Sequence, residues 1–520
     1  MKKFQSIQVF RPKRNAFDLS HEKKLSCNMG DLIPFYVEEI LPGDKFKVNT
    51  EIMMRFAPML APIMHRVNVY THYFFVPNRI VWDNWEQFIT GGEDGQDETV
   101  PPTVSPSSYW YTYFGKGSLA DYMGLPLTPQ EVEPVNYPNY NALPFRGYTE
   151  IYNEYYRDQN LTPKIDYDKT DTTNAPDKIL TLRKRAWEKD YFTSCLPWSQ
   201  RGGEVGIPVD FNYKVPSFAV DANGVAAFGD IASDVVNGIT AGTTPVSIQS
   251  LEEEGVSVSI NELRKAARLQ EWLEKNARAG ARYTEQILSH FGVKSKDSRL
   301  QRPEFLGGGK HPVVISEVLQ TGQTTVDGGE PHTNFPPSPQ GNMAGHGIAI
   351  GNNHGFSRSF TEHGFIIGIM STIPRTAYNQ GVERMWSKKT KFDYYWPEFA
   401  HLGEQEVLNR ELWQDQSLAI DPSGGSESIE AKQTFGYQSR YSEYKFRQSS
   451  IAGDFRDTLK FWHMGREFDA QPELNQSFIE SDPTFRIFAI TDETIDHLYI
   501  QLFNRVRALR PMPYFGTPKL

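Results

Sequence analysis

Apolar and polar residues alternate near both ends of the chain. Phe46, Val48 and Thr50 recur at period two, as do Val67, Val69, Thr71, Tyr73 and Phe75. That spacing predicts strands between Asp44 and Val81, each set lying on one sheet face. Pro58, Pro62 and Pro77 punctuate the runs and limit strand length. A short helix is expected from Trp82 to Ile89, beginning near Asp83. Further strands are expected at Val313, Ile315 and Val318, at Ile348 and Ile350, and from Phe360 and Phe365 to Ile373. Leu498, Ile500, Leu502, Asn504 and Val506 alternate in a terminal strand. Strands at both ends with helix and loop between them predict one antiparallel sandwich over residues 1–520, its connections enlarged.

Three segments interrupt that pattern. Residues 91–145 combine Gly91-Gly92, an acidic cluster and eight prolines with Tyr109, Trp110, Tyr111, Tyr113 and Phe114. So many rings predict a long loop packed against something rather than a free linker. Residues 203–256 hold eight acids against one base, Lys214. Each acid alone reads as ordinary solvated surface; together they predict a segment turned away from any polyanion. Residues 259–291 read as one amphipathic helix, opened by the capping pair Ser259 and Glu262. Leu263, Ala266, Leu269, Leu273, Ala277, Ile287, Leu288 and Phe291 share one side. Arg264, Arg268, Lys275, Arg278 and Arg282 fall opposite, and are read as a solvated face before a phosphate-binding stripe.

The balance of 54 basic against 64 acidic residues, a net charge of −10, excludes a uniformly basic nucleic-acid binder but not a basic patch. Aromatics reach 13% and provide for a large core. Cys27 and Cys195 cannot form a disulfide framework and are expected to be buried thiols in a reducing compartment. The basic N-terminus lacks a secretory pattern, and no run approaches the roughly 18 apolar residues of a membrane helix, so a soluble intracellular chain is expected.

Candidate chemistry is sparse. Gly307-Gly308-Gly309-Lys310 is followed by His311, and Glu304 stands where a phosphate loop has its leading glycine. His311, His332, His346, His354 and His363 match no metal spacing, so no metal, cofactor or catalytic residue is predicted and no enzyme is expected. The termini are more telling. Lys2, Lys3, Arg11, Lys13 and Arg14 precede the first acid, Asp18, and Arg505, Arg507, Arg510 and Lys519 follow the last, Asp496. Phe503, Tyr514 and Phe515 lie among the latter. Bases interleaved with rings suit phosphates and unpaired bases, while solvated tails are the plainer reading of the same residues.

Several ordered strings resemble the major capsid proteins of the Microviridae, small tailless phages with single-stranded DNA, in the gokushovirus branch. They are Leu263-Arg264-Lys265-Ala266-Ala267-Arg268-Leu269-Gln270-Glu271-Trp272-Leu273, Arg282-Tyr283, and His290-Phe291-Gly292-Val293. Arg299-Leu300-Gln301-Arg302-Pro303-Glu304-Phe305-Leu306-Gly307-Gly308, Pro397-Glu398-Phe399, Phe435-Gly436-Tyr437-Gln438 and Pro511-Met512-Pro513-Tyr514-Phe515-Gly516-Thr517-Pro518 continue the likeness. The resemblance implies a mainly β protein, an eight-stranded antiparallel jelly roll with long loop and helical insertions. It implies self-assembly into an icosahedral shell around circular single-stranded DNA, formed in the host cytoplasm and carried in the virion. It further implies a small basic DNA-packaging protein and a minor pilot protein as partners. By position, residues 203–256 correspond to the threefold surface protrusion, with a host surface receptor as its target. On this reading Lys2, Lys3, Arg11, Lys13, Arg14, Arg505, Arg507 and Arg510 line the interior. The β pattern alone also admits a carbohydrate-binding module or metal-dependent enzyme on the same scaffold, and the termini alone a dedicated single-strand binder.

Overall fold

The computed structural model describes residues 13–93, 95–105, 112–127, 138–203, 205, 260–280, 282–319, 343–414 and 433–515, with backbone alone at 216–220, 226–230 and 353. Five strands open the chain: β1 (Asn15–Asp18), β2 (His21–Cys27), β3 (Ile33–Ile40), β4 (Lys45–Phe56) and β5 (Val67–Pro77). Helices α1 (Asn78–Val81) and α2 (Trp85–Thr90), strand β6 (Thr103–Val104), α3 (Leu119–Met123), β7 (Tyr140–Asn141), α4 (Leu143–Ile151) and α5 (Asp177–Leu180) follow. Next come a hairpin of β8 (Pro216–Val220) and β9 (Ala226–Asp230), then α6 (Ile260–Ala279) and α7 (Tyr283–Phe291). The strands resume as β10 (Glu304–Pro312), β11 (Val314–Leu319), β12 (Met343–Ser359) and β13 (Gly364–Pro374). A last excursion holds β14 (Glu404–Leu408), α8 (Asn409–Leu412), β15 (Thr434–Ser439) and α9 (Gln476–Ile479) before β16 (Leu498–Arg510).

Two antiparallel sheets organise the chain. The larger runs β1-β16-β4-β12-β11, with β2 also paired to β16; the smaller runs β10-β5-β13-β3. Phe46, Val48, Ile52 and Met54 of β4 and Ile500, Leu502 and Val506 of β16 come from the first. They join Ile33 and Phe35 of β3, Tyr73 and Phe75 of β5, and Ile366 and Met370 of β13 in one buried cluster. The protein is therefore mainly β, two sheets sharing a core as in a sandwich. A polar cluster lies inside it: the Tyr73 hydroxyl donates to Thr50 Oγ1, which donates to Asn504 Oδ1 at 2.7 Å.

Strand β5 departs from the expected half-wet pattern, because all its residues but His72 are buried. Its inner positions face the shared core, whereas Phe74 and Val76 pack in a second cluster with Leu143, Phe145, Tyr148 and Ile151 of α4. Arg146 on α4 is fully buried and donates to the carbonyls of Val81, Thr170 and Thr172 at 2.9–3.2 Å. Arg146 thus joins α4 to α1 and to residues 170–172, while the apolar face of α4 covers the sheet's outer side. Residues 91–145 carry short elements and buried rings such as Phe114; Tyr109, Trp110 and Tyr111 lie outside the described residues.

The single helix expected over 259–291 is two helices. Gly280 takes φ +105° between α6 and α7, a conformation that ends a right-handed helix. The helix expected from Trp82 to Ile89 is α2, which begins at Trp85, and α1 precedes that range. Contacts group the chain into two compact units, Met1–Ser199 with Gly280–Leu520, and Gln200–Ala279. Both large sheets belong to the first. The acidic segment 203–256 and α6 belong to the second, and of that segment the structure describes the hairpin and little else. Ser259 lies outside the described residues. Cys27 and Cys195 are buried free thiols.

Candidate nucleic-acid interface

Period-two geometry decides which charges the larger sheet exposes. On β16, Leu498, Ile500, Leu502, Asn504, Val506 and Ala508 are buried, so Tyr499, Gln501, Phe503, Arg505 and Arg507 point the other way. β4 repeats the arrangement, with Phe46, Val48, Ile52 and Met54 inside and Lys45, Lys47, Met53 and Arg55 outside. Register places Arg507 opposite Lys47 on one side and Asp18 on the other, and Gln501 opposite Lys24 of β2. The exposed face thus carries six bases, Lys24, Lys45, Lys47, Arg55, Arg505 and Arg507, against three acids, Asp18, Glu22 and Glu51.

The pairing of these charges is partial. Arg505 meets Glu51 at 3.0 Å and lies 5.8 Å over the Phe503 ring, and Lys24 meets Glu22 at 3.8 Å. Bonds from Ser20, aided by the Arg507 charge, hold the Asp18 carboxyl below its ordinary range. Lys45, Lys47 and Arg55 have no ion pair among the described residues. Lys24, Met53, Arg55, Tyr499 and Gln501 surround a shallow depression of about 570 Å³. A flat face with spare cations and a half-exposed tyrosine can neutralise phosphates and stack unpaired bases.

The residues predicted from sequence fare differently. Lys13 and Arg14 are exposed immediately before β1, and Arg505 and Arg507 share the basic face. Lys2, Lys3 and Arg11 lie outside the described residues, as does Lys519. Arg510 is turned in: its guanidinium contacts Glu38 at 3.0 Å and the buried Asp44 at 3.5 Å, over the Phe46 ring. Burial raises both carboxyls and the Arg510 charge opposes it, so Arg510 ties the end of β16 to β3 of the smaller sheet. Lys24, Lys45, Lys47, Arg55 and Tyr499 were not singled out from sequence. The signal was available in the polar partners of the alternating apolar residues.

Of the histidines singled out from sequence, His332 lies outside the described residues. His354 is buried and bonded to Thr71 Oγ1 at 2.6 Å, its ring 6.2 Å from that of His311; burial and His311 both disfavour its protonated form. No group of three or more His, Cys, Asp or Glu among the described residues is placed to hold a metal.

A sheet sandwich with a basic face and large insertions fits several kinds of protein, and comparison with known proteins decides among them. Residues 5–520 match the phage capsid protein (F protein) family. The chain belongs to that capsid family. Among similar relatives, capsid protein VP1 of Chlamydia phage 1 is 34% identical, the alignment covering 100% of this chain and 97% of the relative. Capsid protein VP1 of Bdellovibrio phage phiMH2K is 36% identical over 99% and 97% of the two chains, and that of Spiroplasma virus 4 is 30% identical over 98% and 95%. The gokushovirus resemblance read from the ordered strings is thereby established. As a phage capsid protein the chain has a structural role and is a component of the virion.

Proposed function

We propose that copies of this chain close into an icosahedral shell around circular single-stranded DNA, with the exposed face of the larger sheet turned toward the genome. The observation that carries the reading is the capsid-family match over residues 5–520. The fold of each copy is an eight-stranded jelly roll. In chain order β2, β3, β4 and β5 alternate between the two sheets, β10 stays beside β5, and β12, β13 and β16 alternate again. The orders β2-β16-β4-β12 and β3-β13-β5-β10 are those of interleaved Greek keys, to which β1 and β11 are additions.

Lys13, Arg14, Arg505 and Arg507, joined by Lys45, Lys47 and Arg55, supply the genome contact, with Lys2, Lys3 and Arg11 extending it. Arg510 is left out because its charge is spent on Glu38 and Asp44. The acidic segment 203–256 faces away from the DNA as the threefold protrusion and meets a host surface receptor. A small basic packaging protein and a minor pilot protein complete the particle, which forms in the host cytoplasm. The test is replacement of Lys47, Arg55 and Arg507 by Gln. DNA per particle should fall while DNA-free shells still form; undiminished packaging would overturn the genome contact.

A further inference from the structure

A second surface is unusual for the rings it leaves in solvent. Trp386 is 75% exposed and Leu402 63%, and Phe392, Tyr394, Tyr395 and Tyr444 are each about half exposed. In this field the tyrosines are joined through Tyr441 and Lys388, and Phe392 is paired with Phe399. The Tyr395 ring lies 4.9 Å from Tyr441 and 6.4 Å from Tyr444, and Phe392 lies 5.9 Å from Phe399. Lys388 Nζ bridges two parts of the field, 4.0 Å over the Tyr444 ring and 5.4 Å over Tyr394. Met385 Sδ accepts from Arg447 at 3.8 Å, beside Phe446.

The field is held by local bonds. Trp396 Nε1 donates to the Lys391 carbonyl at 2.8 Å, and its backbone N–H donates to the Tyr441 hydroxyl at 3.3 Å. The Asp393 carboxylate takes the N–H groups of Lys389 and Thr390 at 2.9 and 2.7 Å. Rings presented in this way lose little freedom on being covered, which favours association.

Ring content separates this field from the sheet face. Three of the field's cations are neutralised where they stand, Arg384 by Glu411 at 3.3 Å, Lys388 by Glu443 at 3.6 Å and Arg447 by Glu383 at 2.9 Å, while the exposed Lys389, Lys391 and Lys445 have no ion pair among the described residues. What the field offers beyond charge is aromatic residues and methionine, the side chains enriched where protein surfaces meet. With Trp396 and Phe446, also about half exposed, the exposed rings make seven aromatic side chains of about 150–250 Å² each, which together with Met385 and Leu402 present on the order of 800 Å². One partner of a stable interface contributes about that much, and a monomer rarely exposes an apolar patch so large.

We infer that a second copy of this chain docks on the aromatic field of residues 384–402 and 441–447 in the assembled shell. The inference rests on the shell-forming reading and names the surface that reading requires. Its test is hydroxyl-radical footprinting of the wild-type protein as dissociated subunits, as subunits saturated with single-stranded oligonucleotide, and as particles. Trp386, Phe392 and Trp396 should oxidise alike in the first two and at least tenfold more slowly in particles. Equal rates in all three states would overturn the inference. So would slowing by the oligonucleotide, or protection already complete in the subunit through a segment such as residues 415–432. Trp386→Glu should leave the subunit's melting temperature unchanged and lower particle yield at least tenfold; equal yield would count against it. Failure of the wild-type chain to form any particle falls instead on the shell reading.

Discussion

Two adjacent lysines show how the pleat assigns roles. Lys24 is exposed on the basic face, while Lys23 turns inward and donates to the carbonyls of Pro34, at 3.2 Å, and Tyr122. Burial lowers the Lys23 pKa to about 8. Residue counts cannot separate the two; strand register does. In the core, Thr50→Val would strand the Tyr73 hydroxyl and the Asn504 oxygen, at a cost of about 1–3 kcal/mol in denaturant unfolding. Asp31 gives a pH signature. Burial raises its carboxyl to about 7, opposed by Lys184 and reinforced by Asp482 and Asp496. The folded state keeps the proton up to about pH 7 and the unfolded chain loses it near 3.8, so this group's contribution to stability falls as pH rises between those values. Asp31→Asn should therefore raise the melting temperature at pH 8 and change it little at pH 4. Equal shifts at both would remove this cause.

At the scale of elements, the strands were legible because β4 and β16 each bury one face, and burial on one face writes period two into the sequence. β5 carries the same alternation yet is covered on both sides, since α4 packs over Phe74 and Val76; no local pattern announces a partner so distant in sequence. The helices were joined in the sequence reading because apolar spacing continues across Gly280. Its positive φ separates α6 from α7, so Gly280→Ala should cost about 1 kcal/mol or more, read as a lowered unfolding midpoint. The basic face was half legible. Its β16 residues were found from charge at the chain end, while Lys45, Lys47 and Arg55 went unnoticed among apolar neighbours. Arg146→Met, which removes the bonds to three backbone carbonyls, should destabilise by on the order of 3 kcal/mol.

At the scale of the molecule, two surfaces are set apart by what they expose, bases on one and rings on the other. The sheet face carries Lys45, Lys47 and Arg55 with no ion pair among the described residues, and the other surface carries Trp386, Phe392 and the tyrosines around Lys388. The proposed shell needs both kinds, one for its contents and one for its neighbours. Binding of single-stranded oligonucleotide to subunits should weaken with salt, and each face lysine or arginine changed to Gln should reduce the log–log slope by about 0.7. The most direct measurement is an electron cryomicroscopy reconstruction of purified particles. A closed icosahedral shell is expected, with Arg505 and Arg507 of β16 against nucleic-acid density on the inner surface. An open assembly, or a shell with that sheet face turned outward, would contradict the account.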